Sequence, residues 1–162
     1  MQLNGLIHSL PKEIKALIGI FVIVLSIGFY TGLLFVSDTS SANPNGIEEQ
    51  YLGNEADEDA AVMKFRKSEK EMLTLVHNHV LSMSIIFFLV GLIVSITKLG
   101  KRLKLFLIIE PFISVILTFG GVYLLWKGFI WMKYIVMFSG ALMTLTFTLS
   151  VIIILFQLLK RK

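Results

Sequence analysis

The amino-acid sequence predicts an all-α membrane protein: an antiparallel bundle of four transmembrane helices, with an ordered extracytoplasmic loop between helices 1 and 2 and both termini cytoplasmic. Three observations carry this. Hydrophobic residues make up 56% of the 162 and the mean hydropathy is +0.81, whereas soluble domains hold about 45–50% apolar residues. Four apolar stretches reach the length of about 20 residues that a helix needs to cross a bilayer: 16–36, 72–97, 105–125 and 132–158. The charge outside them alternates in sign from one connection to the next, which fixes the orientation. The remainder is an outer loop at 37–71, and the chain reads as one membrane domain over 1–162.

The opening "MQLNGLIHSLPKEIKALIG" mixes apolar and charged residues, and Pro11 interrupts any continuous helix, so this segment is expected along the inner surface with His8 as an ordinary interfacial side chain. The first apolar run exceeds the 7–15 residues of a signal-peptide core, and no small-residue cleavage site follows in "TGLLFVSDTSS"; it reads as a retained helix. Gly28 and Gly32 lie four apart on one face, a spacing that admits a second helix closely. In the loop, "NPNG" is turn chemistry, with Pro44 fixing one torsion and Gly46 accepting positive φ. Ile47, Tyr51, Leu52, Val62, Met63 and Phe65 are too many apolar residues for a free tether, so the loop is expected to fold back onto the outer helix ends.

Ser68 and Glu71 have capping-box spacing, which starts the second helix well before its apolar part. From there to Thr97 a helix measures roughly 43 Å against a hydrocarbon core of about 30 Å, so its first turns stand outside and His77 and His79 fall at the outer boundary. In the third span Pro111 weakens the helical ladder beside Glu110 and predicts a kink. "YLLWKGFIWMKY" places Tyr123, Trp126, Trp131 and Tyr134 around a tight turn, as in an interfacial aromatic belt, and Gly120-Gly121 reads as a helix-packing site.

Lys12 and Lys15, then Lys98, Lys101, Arg102 and Lys104, then Lys160, Arg161 and Lys162 mark one side of the membrane. The connection 37–76 is acidic: Asp38, Glu48, Glu49, Glu55, Asp57, Glu58, Asp59, Glu69 and Glu71 against Lys64, Arg66, Lys67 and Lys70, so 4 minus 9 gives −5. Because the basic residues sit at helix ends, the net charge of +4 does not point to nucleic acid. With no cysteine there are no disulfides and no thiolate or iron–sulfur ligands. No nucleophile elbow, phosphate loop, zincin helix or dinucleotide fingerprint occurs, and no enzymatic activity is expected.

Two groups of residues carry candidate chemistry. His77 and His79 point about 160° apart on a helix, so they do not chelate one ion as an i, i+4 pair would. With a folded loop, Glu48, Glu49 and the Tyr51 hydroxyl join them as donors for a divalent metal ion. A haem b is the other option, a histidine pairing with Met132 or Met137 of the fourth helix, or with a second copy of the chain. The bland alternative is imidazoles at a wet interface. Glu110 is separate: an ionisable residue at membrane depth is a functional candidate by default. Its bland alternatives are pairing with a snorkelling Lys104 or Arg102, or simple protonation.

The block "GIEEQYLGNEADEDAAVMKFRKSEKEMLTLVHNHVLSMSIIFFLVG", followed by Glu110-Pro111 and "FGGVYLLWKG", resembles a family of small, functionally uncharacterised bacterial four-helix inner-membrane proteins. The resemblance covers residues 46 to 128 and implies the bacterial inner membrane and proximity to cytochrome-type respiratory components. Two function classes follow: a metal- or haem-binding protein of an electron-transfer system, or a non-catalytic accessory subunit or assembly factor that packs against other subunits, or a second copy, in the lipid bilayer.

Overall fold

The computed structural model describes residues 3–40, 42–55 and 62–160. Asp57, Glu58 and Asp59 of the acidic loop, and Arg161 and Lys162, lie outside the described residues. The four apolar stretches form four helices long and apolar enough to cross a membrane: α1 (Lys12–Ser40), α3 (Glu69–Ser95), α4 (Lys101–Trp126) and α5 (Met132–Leu159). A short helix α2 (Pro44–Leu52) lies in the first connection, and there is no strand among the described residues. Helix is what such sequences form in lipid, because every backbone donor and acceptor then finds its partner inside its own segment.

Local chemistry sets the helix starts. Ser68 caps α3: its backbone N–H donates to Glu71 Oε2 at 2.8 Å, and its hydroxyl accepts from the Glu71 N–H at 3.3 Å. The "NPNG" stretch begins a helix instead of making a free turn. Asn43 caps α2, its side chain accepting from the Gly46 N–H at 2.8 Å, and Pro44 occupies the first turn. Gly46 is helical, and glycine is required there for another reason: a Cβ would sit 1.8 Å from the Ser40 carbonyl oxygen. In α4 the helix continues through Pro111 and then widens into a π-helical turn at Ile116–Gly120.

Two apolar layers hold the bundle. The larger spans its middle and its basic end; there Phe29 of α1 stacks on Phe147 of α5 at 4.0 Å and both meet Phe87 of α3 edge-on. Ile7 belongs to this layer and is fully buried, with Gly5 and Ile7 donating backbone bonds to Thr97 and Ile96. The segment before α1 thus plugs the basic end and does not simply lie along the membrane surface. Gln157 closes the same end by bonding both the N–H and the carbonyl of Lys98. The second layer is at the opposite, capped end, where α2 lays Ile47 against Met72, Val122, Leu125, Trp126, Met132 and Val136.

The loop folds back as its apolar content predicts, though only half of it is buried. Ile47, Tyr51 and Leu52 join the capped-end layer, whereas Val62, Met63 and Phe65 are exposed, Phe65 by 70%. The strap after α2 is pinned by Trp126, whose indole N–H donates to the Lys67 carbonyl at 2.8 Å while Arg66 lies over its ring and donates to its carbonyl. Trp131 and Tyr134 face outward as belt residues, but Trp126 is a buried clamp. Gly121 packs as expected, with Val136 against its Cα, while Gly28 and Gly32 on α1 face open space.

Candidate functional site

The strongest polar feature inside the spans is Glu110, 6% exposed in the seam between α4 and α5. Helical spacing builds its surroundings. On α4, Glu110, Ser114 and Thr118 follow at i, i+4 and i+8; on α5, Ser139, Thr146, Ser150 and Gln157 share one face at intervals of 7, 4 and 7 residues. The two stripes meet: Ser114 donates to Glu110 Oε1, Thr146 Oγ1 lies 2.5 Å from Glu110 Oε2, and Thr118 bonds Ser139 at 2.7 Å. Thr146 stands 13 residues from Lys133 and 14 from Lys160, about 20 Å of helix from either charged end. Glu110 is therefore near the middle of the membrane.

The expected cationic partner is committed elsewhere. Lys104 Nζ donates to Asn4 Oδ1 and to the Ser95 and Thr97 carbonyls, at 2.9, 2.9 and 2.7 Å. No ion pair to Glu110 exists among the described residues. Proton accounting then favours a neutral acid. Thr146 has one hydroxyl proton and three nearby acceptors, Glu110 Oε2 and the Leu142 and Met143 carbonyls at 3.0 and 3.1 Å. A protonated Glu110 donates to Thr146, Thr146 donates back to its own helix, and Ser114 donates to the other carboxyl oxygen, so every group is satisfied. An ionised Glu110 would draw the Thr146 proton from the helix and keep a charge in lipid, at a cost of about 2.5–3.5 kcal/mol on insertion scales.

The residues proposed from sequence as ligands are placed apart from this site. His77 and His79 are both exposed on α3; His79 lies against Phe119 at 4.7 Å with Nδ1 2.9 Å from the Leu75 carbonyl oxygen. Glu48 is engaged by Lys133, whose ammonium donates to it at 2.7 Å and to Asn45 at 3.0 Å. Glu49 makes no ion pair among the described residues. Tyr51 is packed under the cap, and burial pushes its phenol above the ordinary value. Met132 is buried in the capped-end layer, and Met137 lies on the outer surface of α5. No three His, Asp or Glu side chains among the described residues gather as a metal set. Ser114, Thr118, Ser139, Thr146 and Ser150 were not foreseen; their signal in the sequence is hydroxyls recurring on one face of otherwise apolar spans.

Fold and site together define a multi-pass α-helical membrane protein with a carboxyl-containing polar seam. The chain belongs to the Aq_1264_TM family, a transmembrane helical domain, whose model matches residues 41–162. The match takes in α2 to α5 and the cap, and α1 precedes it. No curated protein and no solved structure matches the chain.

Proposed function

We propose that this chain is a non-catalytic accessory subunit of a bacterial inner membrane whose working group is Glu110, a proton-binding carboxyl that makes the α4–α5 seam responsive to protonation. The observation that carries this is the pairing of both Glu110 oxygens with hydroxyls at mid-membrane, without a cation. The neutral acid completes the seam, and ionisation weakens it. Other ionisable groups on the packed helices are distant: His79 contacts Phe119, nine residues along α4 from Glu110 and so about 14 Å away; Lys133 and Tyr134 stand at the start of α5, Lys104 is tied to carbonyls, and Tyr30 of α1 bonds Thr148 on another face. The reading departs from a metal- or haem-binding role in respiratory electron transfer, because the arrangement of His77, His79, Glu48 and Glu49 gives that role no support.

Infrared spectroscopy of the purified protein tests it. The expected result is a carbonyl band of a protonated carboxylic acid that disappears in Glu110→Gln, together with a looser α4–α5 seam, read from the distance between spin labels, as the pH is raised through the titration of that band. Absence of a Glu110-dependent band, or a seam indifferent to it, overturns the proposal.

A further inference from the structure

Resting on the reading of Glu110 as a proton-binding acid, we infer that the seam holds a bound water molecule at Ser150, and that through it Glu110 exchanges its proton toward the basic end of the bundle. Three observations converge on that place. Ser150 is 1% exposed and its hydroxyl has no hydrogen-bond partner among the described residues, although buried hydroxyls are almost always satisfied by protein or by water. It lies one turn from Thr146 on the same face of α5, on the side of Gln157, and therefore one turn from the Glu110 carboxyl. Opposite it in the antiparallel register is Leu107, whose carbonyl receives no backbone bond from residue 111, because Pro111 has no N–H. A water there has the two to four polar partners that such a site requires: the Ser150 and Thr146 hydroxyls and the Leu107 carbonyl.

The direction follows from what closes each end. Beyond Thr118 and Ser139 the capped end is shut by an apolar layer that includes Val122, Leu125 and Val136, with the Trp126 clamp above it. Toward the basic end the polar positions continue through Ser150 to Gln157, which is bonded to the Lys98 backbone where the α3–α4 connection emerges. In the exchange, Glu110 gives its proton through Thr146 to the water as the water passes one of its own onward, so water is regenerated and only a proton has moved.

Hydrogen–deuterium exchange of the Glu110 carboxyl band in D₂O, followed in full-length protein in lipid bilayers, tests the route. Ser150→Ala is expected to slow the exchange about tenfold or more, the factor that goes with losing one hydrogen-bonded step. Ser139→Ala, on the capped side, is expected to leave it at the wild-type rate. Ser150→Thr, which keeps a hydroxyl, is expected to restore the rate, separating loss of the donor from a packing defect. Wild-type exchange in Ser150→Ala, or equal slowing in Ser139→Ala, overturns the route while leaving the protonated acid intact. A spectrum with no Glu110-dependent band at all overturns the parent reading and this inference with it.

Discussion

Two polar sites in the spans, the histidine pair on α3 and Glu110 on α4, look equally prominent along the chain and have opposite fates in the fold. His77 and His79 are exposed, and only His79 has contacts: a ring neighbour and a carbonyl of its own helix. Glu110 is enclosed by two helices and answered by two hydroxyls. The difference is one of depth. At the membrane boundary an imidazole meets water and needs no built environment, whereas at mid-membrane a carboxyl is tolerated only if neighbouring helices complete its hydrogen bonds.

The contrast is broken most directly by Glu110→Lys. It places an unpaired ammonium in the seam and is expected to destabilise the purified protein by on the order of 3–5 kcal/mol in thermal unfolding, while Glu110→Gln, able to donate to Thr146 and accept from Ser114, stays within about 1 kcal/mol. Comparable tolerance of Lys and Gln would mean that the seam is not dry. Next in size, Thr146→Val is expected to cost about 0.6–1.7 kcal/mol, the range of interhelical hydrogen bonds in membranes, with most of the loss disappearing when it is combined with Glu110→Leu in a double-mutant cycle. Smallest are His77→Ala and His79→Ala, each expected within about 0.5 kcal/mol of wild type, with His79→Ala the larger because it loses the Phe119 contact. Metal analysis and optical spectra sharpen this: stoichiometric metal or a Soret band lost in either variant would put the histidines above Glu110.

The cap adds a pH test on the other side of neutrality. Burial raises Tyr51 above its ordinary value of 10.0. The stability it contributes is therefore fully present below that value and is lost as pH rises through the higher folded one. Protease sensitivity of the strap at residues 62–68 is expected to rise in that alkaline window in wild type, and Tyr51→Phe is expected to remove the step. An unchanged alkaline response in Tyr51→Phe would assign it to another group, such as Lys127, whose bond to Glu69 holds it above the usual lysine value.

Much of the architecture was legible because it depends on near neighbours or on gross polarity. The four spans follow from apolar length, the α3 start from Ser68 and Glu71, and the folded-back loop from Ile47, Tyr51 and Leu52. Glu110 stood out for the same reason, as one acid in an apolar run. Its environment was not legible: Thr146 is 36 residues away, and which face α5 turns toward α4 is decided by packing, not by local spacing. Lys104 looked like the natural partner, being near in sequence. The competing acceptors, Asn4 and the carbonyls of Ser95 and Thr97, exist only once the segment before α1 and the end of α3 have come together.

That meeting also sets a clock for assembly. Ile7 is buried against groups that include Ile96 and Thr97, and 97 minus 7 is 90 residues of chain. At about 5–20 residues per second of synthesis, the segment waits roughly 5–20 s after its own emergence before its docking surface exists. During that interval α1 is inserted but its leading segment is unanchored, so a bulky fusion ahead of Leu3 acts on a late closing step and leaves the insertion of α1 itself untouched.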